Sequence, residues 1–96
     1  MNIGTQIQKI RRKNNISQGQ LAKDCGITQT YLSLIEHNKR DPNISLLKVI
    51  TAKLNIPLSL LLLMSLDKED IPEDKSEFFS EIAPEISPII ISLLLK

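Results

Sequence analysis

Apolar residues recur along the first two thirds of the chain at the three- and four-residue spacings of amphipathic helices. Ile3, Ile7 and Ile10 form one such stripe, which ends near Asn14. Two shorter stripes follow and are separated by Gly26, a residue that readily adopts the left-handed conformation at a helix end. The pattern therefore predicts one longer helix followed by two short helices joined by a tight turn.

The two short helices have clear start signals. Ser17 precedes the first and Thr28 precedes the second, and both residue types are good N-caps. The inward positions are Leu21, Ala22 and Cys25 in the first helix, and Leu32 and Ile35, with Tyr31 at their edge, in the second. The caps, the turn and the apolar spacing agree, so they predict a helix-turn-helix unit.

The outward face of the second short helix carries Gln29, Thr30 and Ser33. These side chains offer hydrogen-bond donors and acceptors, whereas a helix face that meets only water usually carries Glu and Lys. Gln is suited to a bidentate contact with N6 and N7 of adenine. We therefore expect this face to enter a DNA major groove, as the second helix of such a unit does.

Two further helices are predicted toward residue 66. Asn43 caps the fourth helix, whose expected inward stripe is Ile44, Leu47, Ile50 and Leu54. Pro57 can open the fifth, where apolar residues leave almost no polar face. A helix that is apolar all round must be covered on both sides. One face should pack on the core, and the other on a second subunit or on the chain's own tail.

A set of short motifs runs through residues 3 to 63: IxxIR at Ile7, Ile10 and Arg11, Ser17-Gln18, Leu21-Ala22, Gly26, YLSLIE at residues 31 to 36, Pro42, and LNIPLSLLL at residues 54 to 62. Through these motifs the chain resembles the lambda-repressor-like family of helix-turn-helix DNA-binding domains, which includes phage repressor and Cro proteins and is often called the XRE type. The resemblance implies an all-α fold with five helices. To these we add a predicted short C-terminal helical extension.

The resemblance and the residue chemistry together predict the DNA-binding residues. Predicted base contacts come from Gln29, Thr30, Ser33 and Leu34, and predicted phosphate contacts from Gln18, Thr28, Asn38, Lys39 and Arg40. The family also implies that Gln18 supports the first recognition residue and that Arg11 and Glu36 form an internal ion pair. Leu34 could touch a thymine methyl group or shield the core.

Several residues depart from the usual family pattern. Gly19 replaces an acidic residue and should weaken the first turn of its helix. Asn15, Asn38 and Asn55 stand where the family favours glycine, and Asn is the next best residue in the left-handed region. We therefore expect the turns to be retained.

The charge distribution divides the chain in two. Residues 1 to 66 hold nine Lys and Arg against three acids, a net charge of +6, whereas residues 67 to 96 hold eight acids against three Lys, a net charge of −5. A basic half suits DNA and an acidic half does not. We predict a DNA-binding domain at 1–66, an acidic linker at 67–77 and an apolar oligomerisation or docking segment at 78–96, which is too short to span a membrane.

These observations predict a sequence-specific transcriptional regulator of bacterial or phage type, most simply a homodimeric repressor that reads a pseudo-palindrome. The expected dimer interface comprises Leu60, Leu63, Met64, Ile90 and Leu94. A restriction-modification controller, or an antitoxin or adaptor whose tail binds a partner protein, are the alternatives. No catalytic, metal-binding or cofactor motif is recognised, so an enzyme is not expected, and the lone Cys25 and the lack of a signal peptide suit the cytoplasm.

Overall fold

The computed structural model describes residues 1 to 67, and within them the chain is helical with no strand. The five helices are α1 (Ile3–Lys13), α2 (Gln18–Asp24), α3 (Gln29–Glu36), α4 (Ile44–Lys53) and α5 (Leu58–Met64). Backbone contacts group Asn2–Ser65 into one compact unit. The all-α, five-helix expectation is confirmed, while the predicted helical extension at 78–96 lies outside the described residues.

Side-chain caps start three of the helices as the sequence predicts. The bonds are Gln20 N to Ser17 Oγ at 3.1 Å, Tyr31 N to Thr28 Oγ1 at 3.0 Å and Leu46 N to Asn43 Oδ1 at 2.8 Å. Each cap satisfies one of the backbone donors that a helix leaves unpaired at its N-terminus, and each is worth about 1 kcal/mol. The starts of α2, α3 and α4 are thus fixed by local chemistry.

Helices α1 to α4 all end in the same way, with one residue in the left-handed conformation. These residues are Asn15 (φ 57°), Gly26 (φ 70°), Asn38 (φ 58°) and Asn55 (φ 60°). After α2, for example, Gly26 N donates to Lys23 O at 3.1 Å and Ile27 N donates to Ala22 O at 3.0 Å, which is the Schellman pattern. The expectation that the three turns with Asn in place of Gly would be retained is confirmed.

The core lies where the inward stripes of the helices meet. α1 packs against α3 and α5, α2 against α3 and α4, and α4 against α5. The buried residues of the core are Ile7, Ile10, Leu21, Ala22, Leu32, Ile35, Leu47, Ile50, Leu54 and Leu61. Asn2 N also donates to Ser65 O at 3.0 Å, which joins the start of α1 to the residue after α5. The predicted stripes of α1, α2 and α3 are therefore confirmed.

One position of the predicted α4 stripe is wrong. Ile44 remains 55% exposed, whereas Leu47, Ile50 and Leu54 are buried. Thr51 joins the buried stripe instead, because its hydroxyl donates to Leu47 O at 2.9 Å and so needs no water. Ile44 and Thr51 are seven residues apart and so share a face of α4, which means that Ile44 is exposed because it is the first residue of the helix and not because of the face on which it lies.

α1 approaches α3 closely through Gly4, which is buried. A methyl group at Gly4 would lie 1.8 Å from the backbone oxygen of Ile35. Asn38, just past α3, reinforces this contact, since its Oδ1 accepts from Gly4 N at 3.0 Å and its Nδ2 donates to Thr5 Oγ1 at 2.9 Å. The C-terminal end of α3 is therefore fastened to the first turn of α1.

α5 packs on the core through one of its apolar faces, as expected. Leu61 is in the core, with Leu58 and Met64 packed against it. Leu60 is only 5% exposed within the single chain. Leu60 therefore offers little surface to a second subunit in the single chain, and its place in a dimer interface stays a prediction. Met64 is partly used by the core. Leu63 is half-buried and remains a candidate.

Among the described residues, no single helix is long and apolar enough to cross a membrane. Only α4 and α5 taken together reach that length and composition, and they are bent by 100° relative to each other.

Candidate nucleic-acid interface

α3 separates apolar and polar side chains cleanly. Leu32 and Ile35 are fully buried, while Gln29 and Thr30 are exposed and Ser33 is half-buried. The exposed side chains lie in the first turn of the helix, next to the Thr28 cap. An N-terminal turn that carries uncharged donors and acceptors is the part of a recognition helix that meets base edges.

Beneath this surface lies the ion pair that the family resemblance implies. Arg11 Nε lies 2.7 Å and Arg11 Nη2 lies 3.0 Å from the two carboxylate oxygens of Glu36, so the contact is bidentate. Arg11 Nη1 also donates to Ile16 O at 2.9 Å. Because Arg11 is 7% exposed and Glu36 is 2% exposed, the loss of either partner would leave a buried charge.

Hydrogen bonds link this ion pair to Gln18 of α2 and, through Gln18, to Gln29 of α3. Gln18 Nε2 donates to Glu36 Oε1 at 3.1 Å, and Gln18 Oε1 accepts from Gln29 Nε2 at 3.4 Å. The contact of Gln18 with Gln29 is the support for the first recognition residue that the resemblance implies. The contact of Gln18 with Glu36 was not anticipated, because sequence spacing does not show which groups of α2 and α3 face each other.

Gly19 also proves to have a role that the sequence did not reveal. A methyl group at this position would lie 3.3 Å from Gln29 Oε1 and 3.7 Å from its Cδ. Such contacts place the Gln29 carboxamide directly beside the backbone of α2. The missing side chain at Gly19 therefore leaves room for Gln29, in addition to its expected weakening of the helix.

The predicted phosphate-contacting residues divide into two groups. Lys39 and Arg40 are exposed directly after α3, and Thr28 is an exposed cap whose hydroxyl proton is still available to a phosphate. Asn38 is different, since both ends of its carboxamide bond to α1. One Nδ2 proton of the exposed Asn38 is not used in these bonds, so its contact with phosphate stays a prediction, while its side chain also joins two helices.

Leu34 and Ser33 lie at the border of the surface. Leu34 is half-buried, which leaves both of its predicted roles possible, and Ser33 O is engaged with His37 Nδ1 at 2.8 Å. Cys25 is half-buried, and desolvation raises the pKa of its thiol with a smaller contribution from Asp24. A thiol of raised pKa is a poor nucleophile at neutral pH, so Cys25 acts as a small apolar residue.

Within residues 1 to 67, no group of three or more His, Cys, Asp and Glu side chains could hold a metal ion.

The candidate interface has three parts. These are the uncharged recognition side chains on α3, the basic side chains beyond α3, and the buried hydrogen-bonded side chains that support one of the recognition residues. This composition suits a double-stranded polyanion with base edges that carry donors and acceptors.

Comparison with known proteins agrees with this geometry. A family model described as helix-turn-helix matches residues 7–61. The immunity repressor protein of Bacillus phage phi105 is 30% identical over 90 residues, and the HTH-type transcriptional regulator SinR of Bacillus subtilis is 34% identical over 61 residues. These alignments cover 93% and 62% of this chain, but only 62% and 55% of the two relatives, so the chain spans less than two thirds of their length.

Two solved structures have a similar fold. The clp gene regulator ClgR of Corynebacterium glutamicum superposes with a TM-score of 0.66 at 15% identity, covering 93% of this chain and 86% of its own. A chain of the SinR protein/SinI protein complex superposes with a TM-score of 0.60 at 25% identity, covering 90% of this chain and 98% of its own.

Proposed function

Because the chain belongs to the XRE-type helix-turn-helix family, we propose that it is a sequence-specific DNA-binding transcriptional regulator. The observation that carries this proposal is the exposed first turn of α3, where Gln29 is held at the surface by Gln18. Gln29, Thr30 and Ser33 read base edges, and Lys39, Arg40, Thr28 and Gln18 contact phosphates. Its relatives in phage and bacteria include a repressor, so repression is the proposed mode of action.

Double-stranded DNA in the cytoplasm is the proposed ligand. The basic side chains that stand next to the recognition helix supply sequence-independent attraction, and the polar face of α3 supplies discrimination between base pairs. No catalytic step is part of the proposal. An activator, such as a restriction-modification controller, would use the same interface, so the sign of regulation depends on where the operator lies relative to a promoter.

Selection of bound duplexes from a random pool tests this proposal. We expect an enriched pseudo-palindrome with half-sites about one helical turn apart, because a two-fold dimer presents two recognition helices at that spacing. Selection of no common sequence, despite salt-sensitive binding to all duplexes, would contradict sequence-specific regulation.

The homodimer is a separate part of the proposal. Leu63 is half-buried on an apolar helix, and the predicted partners Ile90 and Leu94 lie outside the described residues. A charged side chain at Leu63 should disfavour burial against a second subunit. Leu63→Glu is therefore expected to lower both the sedimentation mass and the affinity for the selected duplex. A wild-type protein that is monomeric at micromolar concentration would refute this part.

A partner protein is the second candidate, and one observation favours it. A structural neighbour of this chain was solved as a complex of two proteins, SinR and SinI. In the present chain, the apolar segment 78–96 is the proposed docking region. Truncation after Glu77 should preserve the folded helix-turn-helix domain but reduce self-association or solubility. If the truncated protein dimerises and binds its operator as tightly as the full chain, the segment serves a different partner.

A further inference from the structure

His37 is the only histidine in the sequence, and it forms the exposed C-terminal cap of α3. The interface described above gives this side chain no role. We propose that His37 binds a DNA phosphate when its imidazole is protonated, so that the affinity of the protein for DNA rises as the pH falls. This inference rests on the proposed function, because it adds a contact to the same interface.

His37 lies on the same face of α3 as two of the predicted base contacts. Side chains four and seven residues apart share a helix face, and Ser33 and Thr30 precede His37 by these separations. Thr30 belongs to the N-terminal turn, which meets base edges in a recognition helix. His37 stands about 10 Å further along the helix axis, where the exposed Lys39 and Arg40 are expected to meet phosphates. Its position therefore favours the DNA backbone over a base.

A hydrogen bond determines which ring nitrogen of His37 is available to DNA. Nδ1 lies 2.8 Å from Ser33 O. Because a carbonyl oxygen can only accept, Nδ1 carries a proton and donates it to this bond. Nε2, at the opposite edge of the exposed ring, is left for a contact outside the domain.

The fixed bond makes the contact with phosphate depend on protonation. In the neutral ring, Nε2 has only a lone pair, and the oxygens of a phosphodiester also only accept. The two groups then have no proton to share. Protonation gives Nε2 an N–H group and the ring a positive charge, so that Nε2 can donate a charge-assisted hydrogen bond to a phosphate oxygen.

The charged groups around His37 favour this behaviour. α3 packs on α1 and α2. Glu36, the acid next to His37 in sequence, is buried and paired with Arg11, so it is not available to the imidazole. The other charged side chains of α1, of α2 and of the loop after α3 are Lys9, Arg12, Lys13, Lys23, Asp24, Lys39, Arg40 and Asp41.

These surroundings are mainly basic, since six of those eight side chains are Lys or Arg. The C-terminal end of α3 has no basic residue in its last turn, and the helix dipole there tolerates a positive charge in spite of these neighbours. A bound phosphate adds a negative charge beside the ring and stabilises its protonated form. DNA binding is therefore coupled to proton uptake by His37, and by linkage a lower pH must strengthen binding.

The salt dependence of DNA binding at two pH values tests this inference. The probes are the duplex enriched from the random pool and a duplex of mixed, unrelated sequence, because phosphates are present in both. Binding is measured at about pH 5.5 and about pH 8, between which histidine changes its charge. We expect wild-type affinity to be about two- to fivefold higher at the lower pH. The salt slope should also be steeper there by about one for each half-site.

Two variants assign the effect to His37. His37→Gln keeps a polar side chain that stays neutral, so it should lose the difference in slope and affinity between the two pH values. His37→Lys carries a permanent charge and should show the steeper slope at both. Carboxylates and the α-amino group are the same in all three proteins, so their titration cancels in the comparison. Circular dichroism checks the fold of each variant at both pH values.

The outcomes separate this inference from the proposed function. A wild-type salt slope that is the same at both pH values would overturn the inference, and so would a His37→Gln variant that keeps the wild-type pH dependence. If no common sequence is enriched from the pool, sequence-specific regulation is wrong, whereas the mixed-sequence duplex still decides the role of His37.

Discussion

Helices α3 and α5 are both short, but the sequence of α3 indicates the role of that helix much more clearly than the sequence of α5 does. α3 buries Leu32 and Ile35 and exposes Gln29 and Thr30, so its two faces have different chemistry. In α5, the sequence LSLLLLM contains only one polar residue, Ser59. Hydrogen-bonding groups are directional and indicate the ligand they suit, whereas apolar groups accept any apolar neighbour.

This difference explains where sequence reasoning succeeded and where it did not. The polar face of α3 was assigned to the surface, and the structure places it there. The apolar faces of α5 were assigned by periodicity and resemblance, and the low exposure of Leu60, a predicted interface residue, does not show which neighbour it is meant to meet. Substitutions in each helix test how that helix is held in the fold and how its exposed face is used.

The largest expected effect concerns the buried face of α3. Glu36→Ala removes the partner of Arg11 and leaves its guanidinium in a site that is 7% exposed. We expect a loss of about 3 to 5 kcal/mol in the free energy of unfolding, measured by urea denaturation. Arg11→Met combined with Glu36→Leu should cost much less, because no charge is left unpaired. Equal losses in the single and the double variant would contradict this account.

The next effect distinguishes two leucines of α5. Leu60→Ala should destabilise the protein by about 2 to 4 kcal/mol, because Leu60 is buried within the single chain. The matched control Leu63→Ala should cost less, because Leu63 is only half-buried. Both values come from urea denaturation of equal concentrations of protein. The opposite order would show that Leu63 contributes more than Leu60 to the stability of the folded chain and would contradict this expectation.

A smaller effect is expected where α1 supports α3. Gly4→Ala would bring a methyl group to within 1.8 Å of Ile35 O, so backbone must move, at a cost of about 1 to 3 kcal/mol. The control is Gly26→Ala, which meets no atom within 4 Å and incurs only the strain of its positive φ, about 1 to 2 kcal/mol. Displaced α3 resonances in NMR spectra should accompany Gly4→Ala alone. Their absence would mean that the close approach does not position α3.

Local signals account for most of what could be predicted. Ser17, Thr28 and Asn43 act within three residues of themselves, and left-handed Asn and Gly positions end helices whatever packs on them. Helix number, helix bounds and the inward stripes of α1 to α3 follow from such signals. The family resemblance added the Arg11–Glu36 pair, which spacing alone does not reveal.

The remaining features depend on contacts between helices that are far apart in sequence. Gly4 matters because α3 crosses above it, and the Asn38 carboxamide bonds to α1 because that helix lies within reach. The sequence shows Gly19 only as a weak point in α2, whereas the structure shows that its missing side chain leaves room for Gln29. No periodicity encodes these distances, so the sequence could not show them.

We propose that the first turn of α3 reads DNA sequence, and selection of duplexes by variants of this surface can decide whether it does. Wild type, Gln29→Ala and Lys39→Ala are each used to select duplexes from the same random pool. Gln29→Ala should cost about 1 to 3 kcal/mol on the wild-type site and relax one base pair in each half-site, whereas Lys39→Ala should weaken all duplexes alike and lower the salt slope by about one. If Gln29→Ala selects the wild-type sequence unchanged, the claim is contradicted.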